Sequence, residues 1–323
     1  MVNMKFRMYL LLAVLFAIVY AIITVGGTFL GIGNFYFYLT ISIGMMLVQY
    51  MIGPKIVEWS MGVKYINKGE YPKLDRMIDE LAVSAKIPKP RIGICETPMP
   101  NAFAFGRGVN DGRVCVTRGI LNILEQNELK AVLAHEMSHL KNRDVLFITI
   151  LSVIPMILYR IAWNFMFFGG GRDREGSGGN AALVGMAAFL FYFITNLLVL
   201  YASRIREYFA DRGSMQLGSQ PADLASALYK LVYGSAKMPK EALKQVEGMK
   251  AFFINDPSRA LREIRELQQL DLDRSGTIDA GELEALRIKT IKLSFSDRLM
   301  ETLSTHPNML KRINELSKAN RRF

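Results

Sequence analysis

The stretch "AVLAHEMSHLKNRDVLFITILSVIPMILY", residues 131–159, decides how this chain is read. Its first half places His135, Glu136 and His139 after the apolar approach Ala131–Ala134. Its second half, from Val145, is apolar enough to enter a bilayer. On a helix, positions i and i+4 share a face, so His135 and His139 can offer two imidazoles to one ion with Glu136 beside it. This H-E-x-x-H pattern supplies two zinc ligands and a carboxylate that handles a proton. Zinc lowers the pKa of a water it holds to about 7 and polarises a scissile carbonyl. Glu136 is the expected general acid–base group. A histidine that merely fills a core is the bland alternative. Against it, the chain has three histidines in all, two of them here and the third at 306.

A catalytic zinc keeps three protein ligands and one open position. The third donor must come from elsewhere, and "SRIREYFADRGS", residues 203–214, offers Glu207 and Asp211 at i and i+4. Glu207 is the expected ligand, and Asp211 the expected acceptor for the N–H of a ligand histidine. Without the histidines, the same segment reads as a solvated amphipathic helix.

Three apolar blocks, with four candidate spans, surround these motifs. Met8 to Pro54 holds 47 residues without a charge. At about 1.5 Å per residue that is roughly 70 Å of helix, enough for two bilayer cores and the turn "GGTFLGIGN" at 26–34. A cleaved signal peptide would be far shorter. Val145–Phe168 and Ala181–Tyr201 are the third and fourth candidate spans. Pro155 and Arg160 interrupt the third, which reads either as a span with Arg160 near an interface beside Trp163 or as a hairpin dipping into the bilayer. In a four-span arrangement Lys5, Arg7, Lys55, Lys64, Lys141, Arg143, Arg204 and Arg206 share one side, which the positive-inside rule makes cytoplasmic. The expected location is therefore the cell membrane, multi-pass, with the histidine motif facing the cytoplasm. The formal charge of +11 reads as topology and affinity for anionic lipid. A nucleic-acid partner would need a compact basic patch, which is not evident. Cys95 and Cys115 match no metal or redox spacing and read as apolar strand residues.

The expected organisation follows. Residues 1–54 form two membrane helices, 55–144 the first part of a cytoplasmic domain, 145–203 two further spans and 204–323 the second part. The first part opens with the amphipathic helix "YPKLDRMIDELAVSAK". The strand-like runs "RIGICE", "NAFAFG" and "RVCVT" follow, the last two joined through an Asp111-Gly112 hairpin signal. A helix near 119–124 and another over 126–141 come next. The second part reads as helices over 204–217, 221–234, 240–252, 257–270, 280–292 and 308–319. The fold class is α+β, mostly α, with a small antiparallel sheet.

These motifs carry a resemblance. The segments "IGPKIVEW", "NAFAFGRG", "LAHEMSHLKNRD", "SRIREYFADRGS" and "STHPNMLKRINEL", in that order, resemble the HtpX-type integral-membrane zinc metalloproteases, relatives of the CAAX prenyl endopeptidases. The resemblance implies a gluzincin-type domain that cuts misfolded or damaged membrane proteins at the cytoplasmic face. It makes His135, His139 and Glu207 the zinc ligands, Glu136 the catalytic residue and Asp211 a supporting acid. It implies polypeptide substrates, a lipid environment and room for a homo-oligomer. It also makes Asn101, Ala102, Phe103, Ala104 and Phe105 candidates for an edge that pairs with substrate backbone, with a plain core strand as the alternative. His306 reads either as a donor to a developing oxyanion or as a cap or anchor of the last helix, the second being preferred.

One element departs from the family's pattern. In "DLDRSGTIDAGE", residues 271–282, Asp271, Asp273, Ser275, Thr277 (by its carbonyl), Asp279 and Glu282 occupy positions 1, 3, 5, 7, 9 and 12 of an EF-hand loop, with Gly276 at position 6. Calcium is thus a second expected cofactor, held in an insert spanning 258–292, with an effect on access to the zinc cleft. Rival readings are a non-catalytic calcium-sensing adaptor, which would have no use for Glu136, and a metal transporter. Transporters place ionisable groups mid-membrane, and these spans hold almost none besides Arg160.

Overall fold

The computed structural model describes residues 35–67, 69–167, 178–239, 253–254, 259–288 and 294–319. The first expected span, the 26–34 turn, most of the 169–180 loop and the 240–252 segment lie outside these residues. The chain divides into two compact units, residues 1–52 with 146–203, and 53–145 with 204–323.

Two helices among the described residues are long and apolar enough to cross a membrane, where four spans were expected. They cover Asp144–Trp163 and Ala182–Gln216. They belong to the helices α5 (Asp144–Phe167) and α6 (Gly178–Gln216). The second expected span falls in α1 (Phe35–Ser60), which is not one of the two. Leu151, Ile154 and Leu158 of α5 pack against Val199 and Ala202 of α6. Leu183, Met186, Phe189 and Leu190 remain exposed.

The second unit carries the water-facing chemistry. Its four-stranded sheet contains β1 (Val63–Tyr65), β2 (Arg91–Cys95), β3 (Ala102–Phe105) and β4 (Arg113–Thr117) in the order β1-β2-β4-β3. The sheet is mixed, which corrects the expected antiparallel one. β1–β2 and β3–β4 are antiparallel, but β2 and β4 run parallel with Gly93 opposite Cys115. A short 3-10 turn at Val109–Asp111 intervenes between β3 and β4, so Asp111-Gly112 is the exit of a longer loop. Gly93 is required where it stands, because a Cβ there would lie 2.6 Å from both Cys115 Sγ and Val63 Cγ1. Both cysteines are free and buried on their strands, and burial pushes the Cys95 thiol up to about 11.

Helices α2 (Pro72–Ala85), α3 (Arg118–Ile123), α4 (Gln126–Lys141) and α7 (Pro221–Ala236) surround the sheet. Leu74, Ile78 and Leu81 of α2 meet Ile92, Val114 and Val116 of the strands and Leu133 and Met137 of α4 in one core. α4 is buried over most of its length, and Glu125 and Glu128 form a capping box at its start. It ends at Lys141, where Arg143 takes a left-handed φ of 56° before α5 begins. The helices α8 (Ala260–Leu267), α9 (Ala280–Ile288), α10 (Phe295–Thr302) and α11 (Met309–Ala319) complete the unit. Ala260, Leu267, Ile278 and Leu283 belong to the same core as α4 and α7, so the described part of 258–292 is an integral layer.

Candidate metal centre

Two helices bring the donors together. α4 presents His135 and His139 one turn apart, and α6 presents Glu207 across from them. The His135 and His139 Nε2 atoms lie 3.1 Å apart. Glu207 Oε2 is 3.7 Å from His135 Nε2, and Oε1 is 3.6 Å from His139 Nε2. The helices approach closely because residue 213 has no side chain, and a Cβ there would sit 2.0 Å from Ser138 Oγ.

The far side of each ring is tied to a carboxylate. His135 Nδ1 lies 2.9 Å from Asp211 Oδ1, and His139 Nδ1 lies 2.6 Å from Asp144 Oδ2. An ionised carboxylate only accepts, so each Nδ1 carries a proton and each Nε2 is left to face the other, where it can offer a lone pair to a cation. Two lone pairs at 3.1 Å repel unless a cation stands near both. Glu207 Oε2 adds a buried oxygen that lacks a well-aligned hydrogen bond among the described residues, although Arg312 Nη1 lies 3.0 Å from it. Metal bonds of about 2.0–2.1 Å in a tetrahedron separate the donors by about 3.3 Å, near the three spacings found here. His135, His139 and Glu207 therefore fit one metal ion.

Glu136 is buried and accepts a hydrogen bond from the Ala104 N–H of β3. Burial pushes its carboxyl up to about 7, with Glu207 adding to the rise and His139 opposing it. A carboxyl poised there can both take and give a proton near neutrality. Burial likewise lowers the pKa of His135, which favours the neutral, metal-ready ring.

A guanidinium that the sequence reading missed underpins the arrangement. Arg312 of α11 is fully buried and grips Asp211 with two bonds, Nε to Oδ2 at 3.0 Å and Nη2 to Oδ1 at 2.6 Å. Its Nη1 lies 3.0 Å from Glu207 Oε2 and donates to the Ile254 carbonyl at 3.1 Å. Burial alone would lower the Arg312 pKa, but Asp211 and Glu207 outweigh it and hold the charge firmly on. Asp144, also missed, is in turn paired with Arg206. "KNRD" and "KRINEL" contain both residues, but nothing in their spacing points at a histidine 5 or 177 positions away.

The remaining candidates are distributed as follows. His306 stands 3.5 Å (Nδ1) from Glu207 Oε1, buried, with both ring nitrogens lacking a hydrogen-bond partner among the described residues. It does not cap the last helix: Asn308 does, accepting from Leu310 N–H at 2.9 Å. Arg204 fixes the approach to His306 by donating to the carbonyls of Glu301, Thr302 and Ser304. Asn101 is wholly buried and accepts from Ile254 N–H, a tie to the segment that Arg312 also holds. Phe103 and Phe105 fill a side cluster with Val57, Cys95 and Cys115, Ala102 joins the main core, and Ala104 meets Glu136. The strand is therefore both core and wall of the centre. Asp271, Asp273 and Glu282 converge separately in the 271–282 loop.

Comparison with known proteins bears on this geometry. A family profile described as Peptidase family M48 matches residues 69–320. A "Protease HtpX homolog" of Methanothermobacter thermautotrophicus is 52% identical over 230 residues, covering 71% of this chain and 86% of that one. "Protease HtpX homolog 2" of Methanosarcina acetivorans is 46% identical, covering 65% and 71%. The "Protease HtpX homolog" of Moorella thermoacetica is 42% identical with the same coverage. Among solved structures, the "Crystal Structure of S. mikatae Ste24p" is 16% identical with a TM-score of 0.49, spanning 96% of this chain and 64% of that one.

Proposed function

This chain belongs to peptidase family M48, and from that premise we propose that it is a zinc endopeptidase of membranes. Its substrates are polypeptides, in particular misfolded or damaged membrane proteins reached from the cytoplasmic face. The observation that carries the reading is the convergence of two Nε2 lone pairs and a buried carboxylate beside a second, proton-ready carboxyl.

His135, His139 and Glu207 hold the zinc in this reading. When bound, the zinc supplies Lewis acidity, which polarises the scissile carbonyl and acidifies water. Glu136 takes a proton from the attacking water at its carboxylate and passes it to the leaving amine. Asp211 and Asp144 hold the two rings in the Nδ1–H tautomer, and Arg312 keeps Asp211 and Glu207 in place. His306, untied and next to Glu207, donates toward the oxygen on which negative charge develops. Ala102–Phe105 offers its edge to an extended substrate. The apolar helices hold the chain in the bilayer, with the basic flanks on the cytoplasmic side.

Glu136→Gln decides the matter. The zinc-loaded full-length protein in detergent should cleave an unfolded protein, and the variant should lose roughly 100-fold or more of that rate while still binding one zinc. Equal cleavage by both would overturn the assignment.

A further inference from the structure

We propose that the 271–282 loop holds a calcium ion at a second site, independent of the histidine centre and of the peptidase reading. The loop is shaped for it. Gly276 adopts a φ of 81° at the sharp turn, and carboxylate oxygens of Asp271, Asp273 and Glu282 lie within 4.8 Å of one another. All of its side-chain donors are oxygens, with no imidazole or thiolate, and hard cations prefer that set.

The second observation is Asp271 itself. It is only 8% exposed, although its side chain ends in a carboxyl group. Its Oδ2 accepts from the Gly276 N–H and from the Tyr229 hydroxyl, both at 3.0 Å. Its Oδ1 is buried with no hydrogen-bond partner among the described residues, and its carboxylate faces that of Asp273. A buried, unmatched carboxylate oxygen set against a second carboxylate is costly unless a cation joins them. Asp279 and Glu282 also bond each other's backbone N–H groups at the start of α9, so a capping role alone is the competing account. That account leaves Asp271 Oδ1 unexplained, while Asp273 accepts from the Ser275 N–H at 2.9 Å.

The loop is anchored and not a loose appendage. Ile278, at its eighth position, is 1% exposed, and Leu270 and Leu283 enter the core on either side. Tyr229 links Asp271 to α7, whose Leu228 and Leu231 share the core with Leu133 and Met137 of the metal helix.

The test uses the full-length chain in a nonionic detergent with zinc already bound. Titration calorimetry with calcium chloride should show one ion per chain with a Kd at or below about 1 mM, and magnesium should bind more weakly. Terbium should give luminescence excited through tyrosine, because Tyr229 touches the first loop carboxylate. Asp273→Asn alters an exposed residue outside the cap, so it should weaken calcium at least ~10-fold while leaving the melting of calcium-free protein unchanged. Glu282→Gln should weaken it further. Absence of saturable calcium uptake up to about 10 mM would overturn the proposal, as would wild-type affinity in both folded variants.

Discussion

At the centre, each ligand ring is fixed from behind by a carboxylate, and that carboxylate is fixed by an arginine. His139 leans on Asp144, which is held by Arg206; His135 leans on Asp211, which is held by Arg312. Removing the outer partner of a metal ligand typically costs 10–100-fold in metal affinity. Asp144→Ala should show that loss in a competitive zinc titration, and Asp144→Asn, which keeps an acceptor, should recover part of it. Unchanged zinc affinity in Asp144→Ala would remove Asp144 from the site. The histidines and Glu136 were legible because a helix turns spacing into geometry. Glu207 and Asp211 were legible because the same rule pairs them. Asp144 follows a left-handed break at Arg143, and Arg312 reaches across from another helix, so no local period announces either.

At the scale of elements, the centre depends on how closely α4 and α6 approach. Gly213 lies against Ser138, whose hydroxyl accepts from Asn142 at the end of α4 and is thus not free to swing aside. Gly213→Ala should force the helices apart, costing about 1–3 kcal/mol of stability and loosening zinc together with it. Calorimetric unfolding and zinc affinity measured on one preparation check both halves; a variant as stable as wild type would show that the contact yields. Helix periods were readable from sequence over most of this unit, and α4 was placed to the residue. The sheet was harder. β1 is three residues, "VKY", too short to show alternation, and the parallel β2–β4 pair is a long-range choice that a hairpin signal at Asp111-Gly112 conceals. α10 went unread because its turn-length amphipathic pattern lies among polar residues.

At the scale of the molecule, the metal centre ties together α4, α6 and α11 with the Ile254 carbonyl, through residues far apart in sequence. If the centre holds zinc as proposed, stripping it would leave nitrogens and carboxylates facing one another, so a chelator should abolish turnover and lower the melting temperature. For zinc at about 1,000 times its Kd the difference is about 4 kcal/mol, and added zinc should restore both properties. Identical melting of stripped and loaded protein would mean that the centre contributes nothing to folding. The apolar blocks were legible in composition, and the described helices Asp144–Trp163 and Ala182–Gln216 carry two of them.

The Arg312 guanidinium also has a bearing on biosynthesis. His135 leaves the ribosome 177 residues before Arg312 does. At 5–20 residues per second, that interval is roughly 10–35 s. Asp211 is made within it and waits the last 101 residues, roughly 5–20 s, for its clamp. The two carboxylates at the centre thus stay unclamped until α11 has been made.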